Sequence, residues 1–487
     1  MTALGRWLST LAVGSLALLA VAAPAGAAQS GHLDGSFGKK GKLTLSAKLL
    51  GPDGKSPTGA FAPSDGPFLG SLGAGLETQL LPLSKGRFLL ARGFRIFRFE
   101  ADGGLDRRFG KGGYVTIPRP AGEEFAPRGI ALDPSGRILI AAEATTIGAT
   151  ADPTPGGGTA GFYEKGAPPV RAAVLRLLSD GRPDPGFGNG GFVESTFGAA
   201  PPTYQGHPYA TPVAQGIAIA SDPDGRPVLT GRFVTEATIC YPFSYLNFAT
   251  RSFVAVLGTG GNVESVSTDP VATSAHYGVA VLPVPGGGTL FEGWQGNECV
   301  RGGPIGNETV AVALLESSGV AKPGFYPEAL TFSAPPSPAV DGRGRAVLVG
   351  HVNQPSLGPG RFAMRLRANG TVDTHFGDEG WAELPSGGGL GRVATDTDNR
   401  PVISGGLTLG NDGWGGFSLT RLTAKGRRDA KFGGGGTTRI FFRASEAGTP
   451  GSVMVDEEGR ILVAGSLTYP GSSGAEAVGV VRYVPKG

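Results

Sequence analysis

The residue types that most often perform chemistry are few in this chain and lie far apart along it. Its five histidines are His32, His207, His276, His351 and His375. They show neither the His-x-x-x-His spacing of a zinc site nor any other clustering typical of metal ligands. No Gly-x-Ser-x-Gly elbow precedes a helical pattern, and the glycine runs lack the Lys-Ser/Thr of a phosphate loop. The sequence therefore predicts no catalytic residues, no cofactor and no metal.

Two short acidic motifs need separate weighing, because alternating carboxylates can hold Ca²⁺. They are Asp222-Pro-Asp224-Gly and Asp396-Thr-Asp398-Asn. Neither is followed by the glutamate of an EF-hand loop. Aspartate, asparagine and glycine are also the residues that form tight turns, and we interpret both motifs as turns.

Aromatic residues gather in a few long segments, which are candidates for ligand binding. The segments are 46–75, 143–170, 197–212, 234–250 and 295–308. Tyrosine and tryptophan there suit a carbohydrate or a protein surface. The candidate residues are Tyr163, Tyr204, Tyr209, Tyr241, Tyr245 and Trp294. The alternative, that these aromatics pack the segments against themselves, stays open.

A repeated motif, Asp-x-x-Gly-Arg between two short apolar runs, predicts the elements that carry these segments. Successive copies place their last residue at Arg87, Arg137, Arg226, Gly288, Arg345, Arg400 and Arg460. The unit is about sixty residues long, and such a period indicates stacked structural repeats. Each unit reads as four short strands joined by turns, which is typical of one blade of a β-propeller. We therefore predict an all-β fold, a seven-bladed β-propeller of four-stranded antiparallel blades.

The two ends of the repeat array complement each other. The last unit stops after Val480-Val-Arg-Tyr-Val without a fourth strand, whereas Leu33 to Leu45 carries a fourth-strand motif on its own. Pairing of the N- and C-terminal segments would close the ring and leave no open sheet edge. We predict a last blade shared between about 33–45 and 450–484, within one domain spanning 28–487.

An arginine in the third strand and an aspartate eight residues later occur together or are lost together. The predicted ion pairs are Arg98–Asp106, Arg176–Asp184, Arg365–Asp373, Arg421–Asp429 and, across the chain ends, Arg482–Asp34. In two degenerate copies Val256 and Leu314 replace the arginine. Loss of both partners together favours an ion pair that braces the turn. The alternative is that these copies simply decayed throughout.

A Phe-Gly dipeptide follows that aspartate in most copies. Its phenylalanines are Phe37, Phe109, Phe187, Phe376 and Phe432. One phenylalanine at a fixed place in each unit favours a core position over a ring of binding residues, with glycine supplying a positive φ.

These two motifs, Asp-Gly-Arg-Ile-Leu-Val-Ala-Gly and Leu-Asp-x-x-Phe-Gly-x-x-Gly, resemble the delta-60 repeat of exported bacterial proteins. The resemblance covers Leu33 to Val484 and is weakest in the third and fourth copies. It implies a β-propeller-like fold and brings no catalytic residues with it.

The N-terminus predicts export from the cytoplasm. Arg6, an apolar run from Leu8 to Ala20 and Ala25-Gly-Ala27 form the pattern of a signal peptide over residues 1–27. An uncleaved anchor is the alternative. Outside the cytoplasm, Cys240 and Cys299 are candidates for a disulfide, with two free thiols as the alternative. We predict no membrane span in the mature chain.

The net charge of +3 is small for 487 residues, so nothing points to nucleic acid or an acidic membrane. We predict a monomeric, secreted or cell-envelope module that binds a protein or glycan through its long-loop face. A lyase or hydrolase acting on a polymer at the mouth of the channel is the second possibility, and an architectural envelope protein the third. Fold alone does not decide between them.

Overall fold

The structure is a computed structural model. It describes residues 31–50, 76–146, 169–204, 207–208, 212–240, 245–270, 277–295, 309–322, 330–332, 335–354, 358–385, 389–408, 415–442, 445, 447–469 and 477–484. The predicted signal peptide, residues 1–27, lies outside these ranges, as does Cys299.

The regular secondary structure of the described chain is almost entirely β-strand, as the sequence predicts. The strands are β1 (Lys42–Ser46), β2 (Leu76–Pro82), β3 (Phe88–Gly93), β4 (Arg95–Phe99), β5 (Tyr114–Thr116), β6 (Glu123–Leu132), β7 (Ile138–Thr146), β8 (Arg171–Leu177), β9 (Phe192–Ser195), β10 (Thr203–Tyr204), β11 (His207–Pro208), β12 (Ala214–Ser221), β13 (Pro227–Cys240), β14 (Tyr245–Leu257), β15 (Val263–Thr268), β16 (Tyr277–Pro283), β17 (Thr289–Gln295), β18 (Thr309–Leu315), β19 (Leu330–Thr331), β20 (Ser337–Val340), β21 (Ala346–Gln354), β22 (Gly358–Leu366), β23 (Trp381–Glu383), β24 (Leu390–Thr395), β25 (Pro401–Thr408), β26 (Gly416–Arg421), β27 (Thr437–Phe441), β28 (Ala447–Val455), β29 (Ile461–Thr468) and β30 (Ala477–Tyr483). One helical turn, α1 (Ala47–Leu50), follows β1, and a short 3-10 turn spans Ser84–Gly86.

The repeated Asp-x-x-Gly-Arg motif forms the turn between the first and second strand of a sheet. At the turn after β6, Asp133 Oδ1 accepts hydrogen bonds from the backbone N–H groups of Ser135 and Arg137, each over 2.9 Å. Gly136 supplies the left-handed φ of +75° that the turn requires. The same arrangement begins β13, where Asp222 Oδ1 binds the N–H groups of Asp224 and Arg226. Its acidic pair therefore serves the turn.

The strands form six sheets arranged as a β-propeller, and their pairings are antiparallel except for that of β10 with β13. Sheet A holds β2–β5, sheet B β6–β9, sheet C β10–β15, sheet D β16–β19, sheet E β20–β23 and sheet F β24–β30 with β1. The first strand of each unit lies innermost, and these strands contact one another in the order β2, β6, β12, β16, β20, β24, β28 and again β2. Buried apolar side chains fill each space between neighbouring units, such as Phe109, Ile140 and Leu175 between sheets A and B.

The prediction of seven four-stranded blades is wrong. Five sheets stand alone, four of them with four strands and sheet C with six, whereas sheet F has eight strands. In sheet F, β25 pairs with β28 through Leu407↔Gly448 and Thr408↔Ala447, which joins two strand sets into one sheet. Glycine permits this approach, because a Cβ on Gly406 of β25 would lie 2.6 Å from the Gly448 carbonyl oxygen of β28. Counting turn motifs counts repeat units, and it cannot show which units share hydrogen bonds.

The two ends of the described chain pair with each other. β1 and β30 run antiparallel with Lys42 opposite Val481 and Ser46 opposite Ala477. The Asp34 N–H donates to the Arg482 carbonyl oxygen over 2.9 Å, so the contact continues toward the N-terminus. The edge of β30 is therefore covered by the chain's own N-terminal segment.

The predicted long loop 234–250 is instead an extended hairpin. β13 and β14 pair from Val228↔Val256 to Cys240↔Tyr245, well beyond the length of neighbouring strands. β10, from the predicted loop 197–212, pairs in parallel with β13 at Thr203↔Glu236. Hence parts of two predicted loops form one enlarged sheet. Across the described residues, no helix has the length and apolar character needed to span a membrane.

Candidate functional site

The arginine and aspartate residues that occur together in the sequence lie together in the structure. In each pair the arginine Nε donates to aspartate Oδ2. The distances are 2.9 Å for Arg98–Asp106, 2.8 Å for Arg176–Asp184, 2.9 Å for Arg365–Asp373, 2.9 Å for Arg421–Asp429 and 2.9 Å for Arg482–Asp34. Arg176, Arg365, Arg421 and Arg482 are each 2 % exposed. These ion pairs belong to the core, where they fix the turn between the third and fourth strands.

Each of these arginines also lies over the phenylalanine of its own Phe-Gly motif. The guanidinium carbon lies 4.3 Å from the ring centroid in Arg176–Phe187 and 4.7 Å in Arg98–Phe109. All five Phe-Gly phenylalanines are fully buried. The contact combines cation–π attraction with core packing, so these rings are structural elements and do not contact a ligand.

The same arginines reach the next unit of the ring. Arg98 Nη1 donates to the Ser179 carbonyl oxygen in sheet B over 2.7 Å, and Arg365 Nη1 to the Ala424 carbonyl oxygen in sheet F over 2.7 Å. Arg482 makes the same contact with the Ala101 carbonyl oxygen of sheet A. Arg98, Arg365 and Arg482 each therefore link three groups: the aspartate, the phenylalanine and the neighbouring unit. Arg176 does the same through the Thr259 carbonyl oxygen, whereas Arg421 Nη1 has no hydrogen-bond partner among the described residues.

The Gly-Arg arginines of the repeated turn are partly buried as well, which the sequence analysis did not anticipate. Arg137 Nε donates to Asp133 Oδ2 over 2.5 Å, and Arg137 Nη1 lies 3.8 Å from Asp184 Oδ2. Arg345 repeats this pattern with Asp341 and Asp373. The short-turn face of these units is thus occupied by internal ion pairs.

The aromatic residues predicted to bind a ligand lie in different kinds of place in the structure. Tyr163, Tyr209 and Tyr241 lie outside the described residues. Tyr204 ends β10 and Tyr245 begins β14, in the enlarged sheet C. Trp294 is 3 % exposed and packs with Val310 and Phe332 in the core between sheets D and E, so the structure places Trp294 away from any surface. The predicted Cys240–Cys299 disulfide stays a prediction, because Cys299 is not described.

A polar cluster lies where the innermost strands begin, at the long-loop end of the ring. Six of these strands carry a β-bulge near this point, for example between Pro127 and Gly129 in β6 and between Pro450 and Ser452 in β28. A bulge adds an unpaired residue and redirects its side chain. We call the side chains of Glu77, Thr78, Arg92, Arg392 and Ser466 the central mouth.

An ion pair crosses the central mouth. Arg392 Nη2, from β24, lies 3.0 Å from Glu77 Oε2, from β2. The inner strand between them is β28, whose bulge residue Gly451 has no side chain to block the path. Both side chains are about half exposed, 49 % for Arg392 and 55 % for Glu77. The Ser404 hydroxyl accepts from the Arg392 N–H and donates to its carbonyl oxygen, which fixes the backbone at this point.

Arg92 is the buried cation of the central mouth. Its Nη1 donates to Thr78 Oγ1 over 2.8 Å and to Ser466 Oγ over 2.7 Å. The side chain is 7 % exposed, and burial lowers the pKa of its guanidinium although the nearby charge of Glu77 raises it. Within the described part of the chain no carboxylate forms a hydrogen bond or ion pair with Arg92. A buried guanidinium held only by hydroxyl groups is incompletely compensated.

Between sheets B and C, a second polar group forms a continuous chain. Arg128 Nε donates to Glu143 Oε1 over 2.9 Å, Gln215 Nε2 to Glu143 Oε2 over 3.2 Å, and Arg232 Nε to Gln215 Oε1 over 2.5 Å. Glu143 is thereby held by two donors. Because its oxygens are engaged inside the fold, we assign it a structural role.

Glu292 is an unusual buried acid. It lies in β17 between the core residues Leu290 and Trp294 and is 1 % exposed. Neither carboxyl oxygen has a hydrogen-bond partner among the described residues. Burial raises its pKa to about 8, and the charge of Arg392 acts in the opposite direction. Glu292 is therefore largely protonated at neutral pH.

The sequence analysis missed the central mouth and Glu292. A signal was present, because Arg92 and Glu292 interrupt the apolar strands Phe-Leu-Leu-Ala-Arg and Leu-Phe-Glu-Gly-Trp. A charge inside a buried strand indicates a special environment. Their convergence depends on the ring geometry, which the sequence does not give. Among described residues, no group of three or more His, Cys, Asp or Glu side chains could hold a metal ion.

Comparison with known proteins concerns the repeat and the fold. A family model described as a domain of unknown function (DUF5122) beta-propeller matches residues 157–187, a segment that includes β8 and Phe187. This short match agrees with the β-propeller arrangement of the sheets. No curated protein matches the chain.

Several solved structures are similar at low identity. A protein of unknown function from Dyadobacter fermentans is 13 % identical, with 75 % of this chain and 99 % of that chain covered and a TM-score of 0.42. The NanB sialidase of Streptococcus pneumoniae is 11 % identical, with coverages of 84 % and 68 % and a TM-score of 0.40. A gluconolactonase from Xanthomonas campestris is 10 % identical, with coverages of 73 % and 86 % and a TM-score of 0.34.

Proposed function

We propose that this chain is an exported β-propeller of the delta-60 repeat type that binds a glycan or a protein without catalysing a reaction. The observation that carries the proposal is the convergence of Glu77, Arg92 and Arg392 at the long-loop end of the ring. The guanidinium of Arg392 and the carboxylate of Glu77 are half exposed, and the buried cation Arg92 lies beside them, so directional donors and acceptors meet at one place. The strands of a propeller form a rigid ring, and the residues of this cluster lie on those strands.

Binding is favoured over catalysis because the carboxylates of Glu77 and Glu143 are already paired with donor groups of the protein. Glu77 is held by Arg392, and Glu143 is held by Arg128 and Gln215. A general base needs a free carboxylate within reach of the substrate proton. The export proposal rests on the pattern of residues 1–27, and the Cys240–Cys299 disulfide would suit an extracytoplasmic compartment.

The test is a binding screen of the mature chain, residues 28–487, against arrayed glycans and against envelope proteins. Arg392→Gln should reduce binding of the ligand that is found. Arg182→Gln is the matched control, because Arg182 forms an exposed ion pair with Asp180 elsewhere on the surface. Ligand binding that is the same in both variants would contradict a role for the central mouth. Failure of every glycan and protein to bind would contradict the proposed function.

A polymer-cleaving enzyme is the second candidate, and Glu292 is the observation in its favour. A buried carboxyl with a raised pKa can serve as a general acid. Its burial argues against this role, because a catalytic acid must touch the substrate. Release of new reducing ends or unsaturated products from polysaccharides by the wild-type chain, but not by Glu292→Gln, would establish the enzyme.

A further inference from the structure

The central mouth carries more positive than negative charge. Over its described side chains, Arg92 and Arg392 stand against Glu77 alone. The nearby acid Glu292 adds little negative charge at neutral pH, since burial keeps it largely protonated. The mouth therefore has an unmatched cation, and Arg92 is the group without a bonded carboxylate among the described residues.

Both arginines meet at one bulge of β2. Arg92 donates to Thr78 Oγ1, and Arg392 lies on the adjacent Glu77, so the two guanidinium groups flank consecutive residues. The register of β2 against β3 skips these two residues, passing from Leu76 directly to Gln79. The bulge thus places two cations around one short segment whose backbone is not paired with β3.

Glu77 already shows how this place accommodates a carboxylate. Its oxygen lies 3.0 Å from Arg392, and the pair is half exposed. An exposed ion pair of this kind contributes little stability, because water screens it. A carboxylate from outside can therefore exchange with Glu77 at small cost, and it gains the uncompensated charge of Arg92 in addition.

We propose that the central mouth binds the carboxylate of an acidic sugar, with Arg392 as the contacting guanidinium, Arg92 as a buried charge that attracts the carboxylate and Glu77 as the internal competitor. This inference rests on the proposed binding function and specifies its ligand class. The Ser466 hydroxyl, which accepts from Arg92, is not fully buried and can meet a sugar hydroxyl group beside that carboxylate. A planar guanidinium matches the two oxygens of a carboxylate, and partial burial strengthens the contact.

The probe is an oligogalacturonate, with its fully methyl-esterified form as the neutral counterpart of equal size. Titration calorimetry of the mature chain at low salt should give binding of the free acid that is at least about tenfold tighter than of the ester. Added salt should weaken binding of the acid alone. Equal binding of acid and ester, or no binding of the acid at millimolar concentration, would overturn the inference.

Three variants separate the residues. Arg392→Gln and Arg92→Gln should each weaken acid binding by about tenfold or more, and Glu77→Gln should tighten it because the competitor is removed. Arg182→Gln should bind like the wild type. If Arg92→Gln does not fold, as judged by its thermal transition, the acid affinities of Arg392→Gln and Glu77→Gln still test the assignment. Equal affinities in these two variants and the control would reject the assignment.

The outcomes also separate this inference from the proposed function. Binding of neutral glycans or of a protein, with no preference for carboxylate, would leave the binding function in place and reject the acidic ligand.

Discussion

Arg482 and Asp34 form an ion pair between residues 448 positions apart, with Arg482 Nε 2.9 Å from Asp34 Oδ2. Arg482 also lies over the Phe37 ring at 4.6 Å and donates to the Ala101 carbonyl oxygen. One buried guanidinium therefore ties the C-terminal strand to the N-terminal segment and to sheet A. The two ends of the chain meet at a specific chemical contact as well as through strand pairing.

Replacing Arg482 should destabilise the whole ring. Arg482→Gln leaves Asp34 without its partner and removes the cation above Phe37, which should cost about 3–5 kcal/mol of unfolding free energy. Arg182→Gln breaks the exposed pair with Asp180 and should cost less than about 1 kcal/mol. Urea denaturation measures both. Equal losses of unfolding free energy in the two variants would show that the Arg482–Asp34 pair stabilises the fold no more than an exposed ion pair does.

The same pair predicts a loss of stability in acid. Burial tends to raise the pKa of Asp34, but the hydrogen bonds from Ser36 and the charge of Arg482 outweigh it and lower the pKa below 3.8. A carboxyl with a depressed folded pKa stabilises the fold above its unfolded pKa, and that stability is lost as pH falls through the folded pKa. Asp34→Asn should therefore lose less stability on acidification than the wild type, as followed by urea midpoints.

Replacing Gly181, which lies at the contact between sheets A and B, should destabilise the fold. Gly181 has a φ of +93°, and a Cβ there would lie 2.2 Å from Val115 Cγ2. Gly190 also has a positive φ, +61°, but nothing lies within 4 Å of its would-be Cβ. Gly181→Ala should be more destabilising than Gly190→Ala by about 1–3 kcal/mol, because only the former adds a clash. Thermal unfolding of the two variants tests this, and similar transitions would contradict it.

Glu292 should make the protein less stable as pH rises. Its folded pKa of about 8 exceeds the ordinary glutamate pKa of 4.5, so the folded state holds the proton more tightly. Stability should fall as pH increases from the unfolded pKa to the folded pKa, by about 3 kcal/mol at neutral pH. Glu292→Gln keeps a neutral side chain and should remove this decline.

Urea midpoints measured across that pH range give the comparison. Glu100→Gln, at a partly exposed carboxyl, is the control and should follow the wild-type profile. Parallel profiles for Glu292→Gln and the wild type would show that this carboxyl ionises normally in the fold.

Cys240 and Cys299 should resist alkylation in the exported protein. A disulfide would block both thiols until a reductant is added, and its removal should lower the thermal transition because the loop between the cysteines is long. Mass spectrometry after alkylation, with and without reductant, measures this. Alkylation of both cysteines without reductant would establish two free thiols.

Much of the fold could be predicted from the sequence because the same turn motifs, Asp-x-x-Gly-Arg and Phe-Gly, recur along the chain. The arginine and aspartate residues that disappear together in the third and fourth copies lie together elsewhere, and the end segments that complement each other pair as β1 and β30. Repetition within one chain thus acts as an internal comparison of related units.

The structure differs from the prediction where one repeat unit differs from its neighbours. The junction of β25 with β28 depends on the close approach of Gly406 and Gly448, which no turn motif marks. The extension of β13 and β14 lies in a segment rich in aromatic and β-branched residues, which we interpreted as a loop because it exceeded the usual unit length. The central mouth combines residues from β2, β3, β24 and β29, and sequence spacing cannot place these side chains together.

The shared ladder between β25 and β28 has an evolutionary consequence. Tandem repeats commonly gain or lose whole copies, since each copy folds against interchangeable neighbours. Here, excision of the copy that begins at β28 would strip a partner from β25 and leave its backbone groups exposed at a new edge, a hazard for aggregation. The lineage that carries this junction should therefore retain a constant copy number at its C-terminal side, while duplication elsewhere in the array stays permissible.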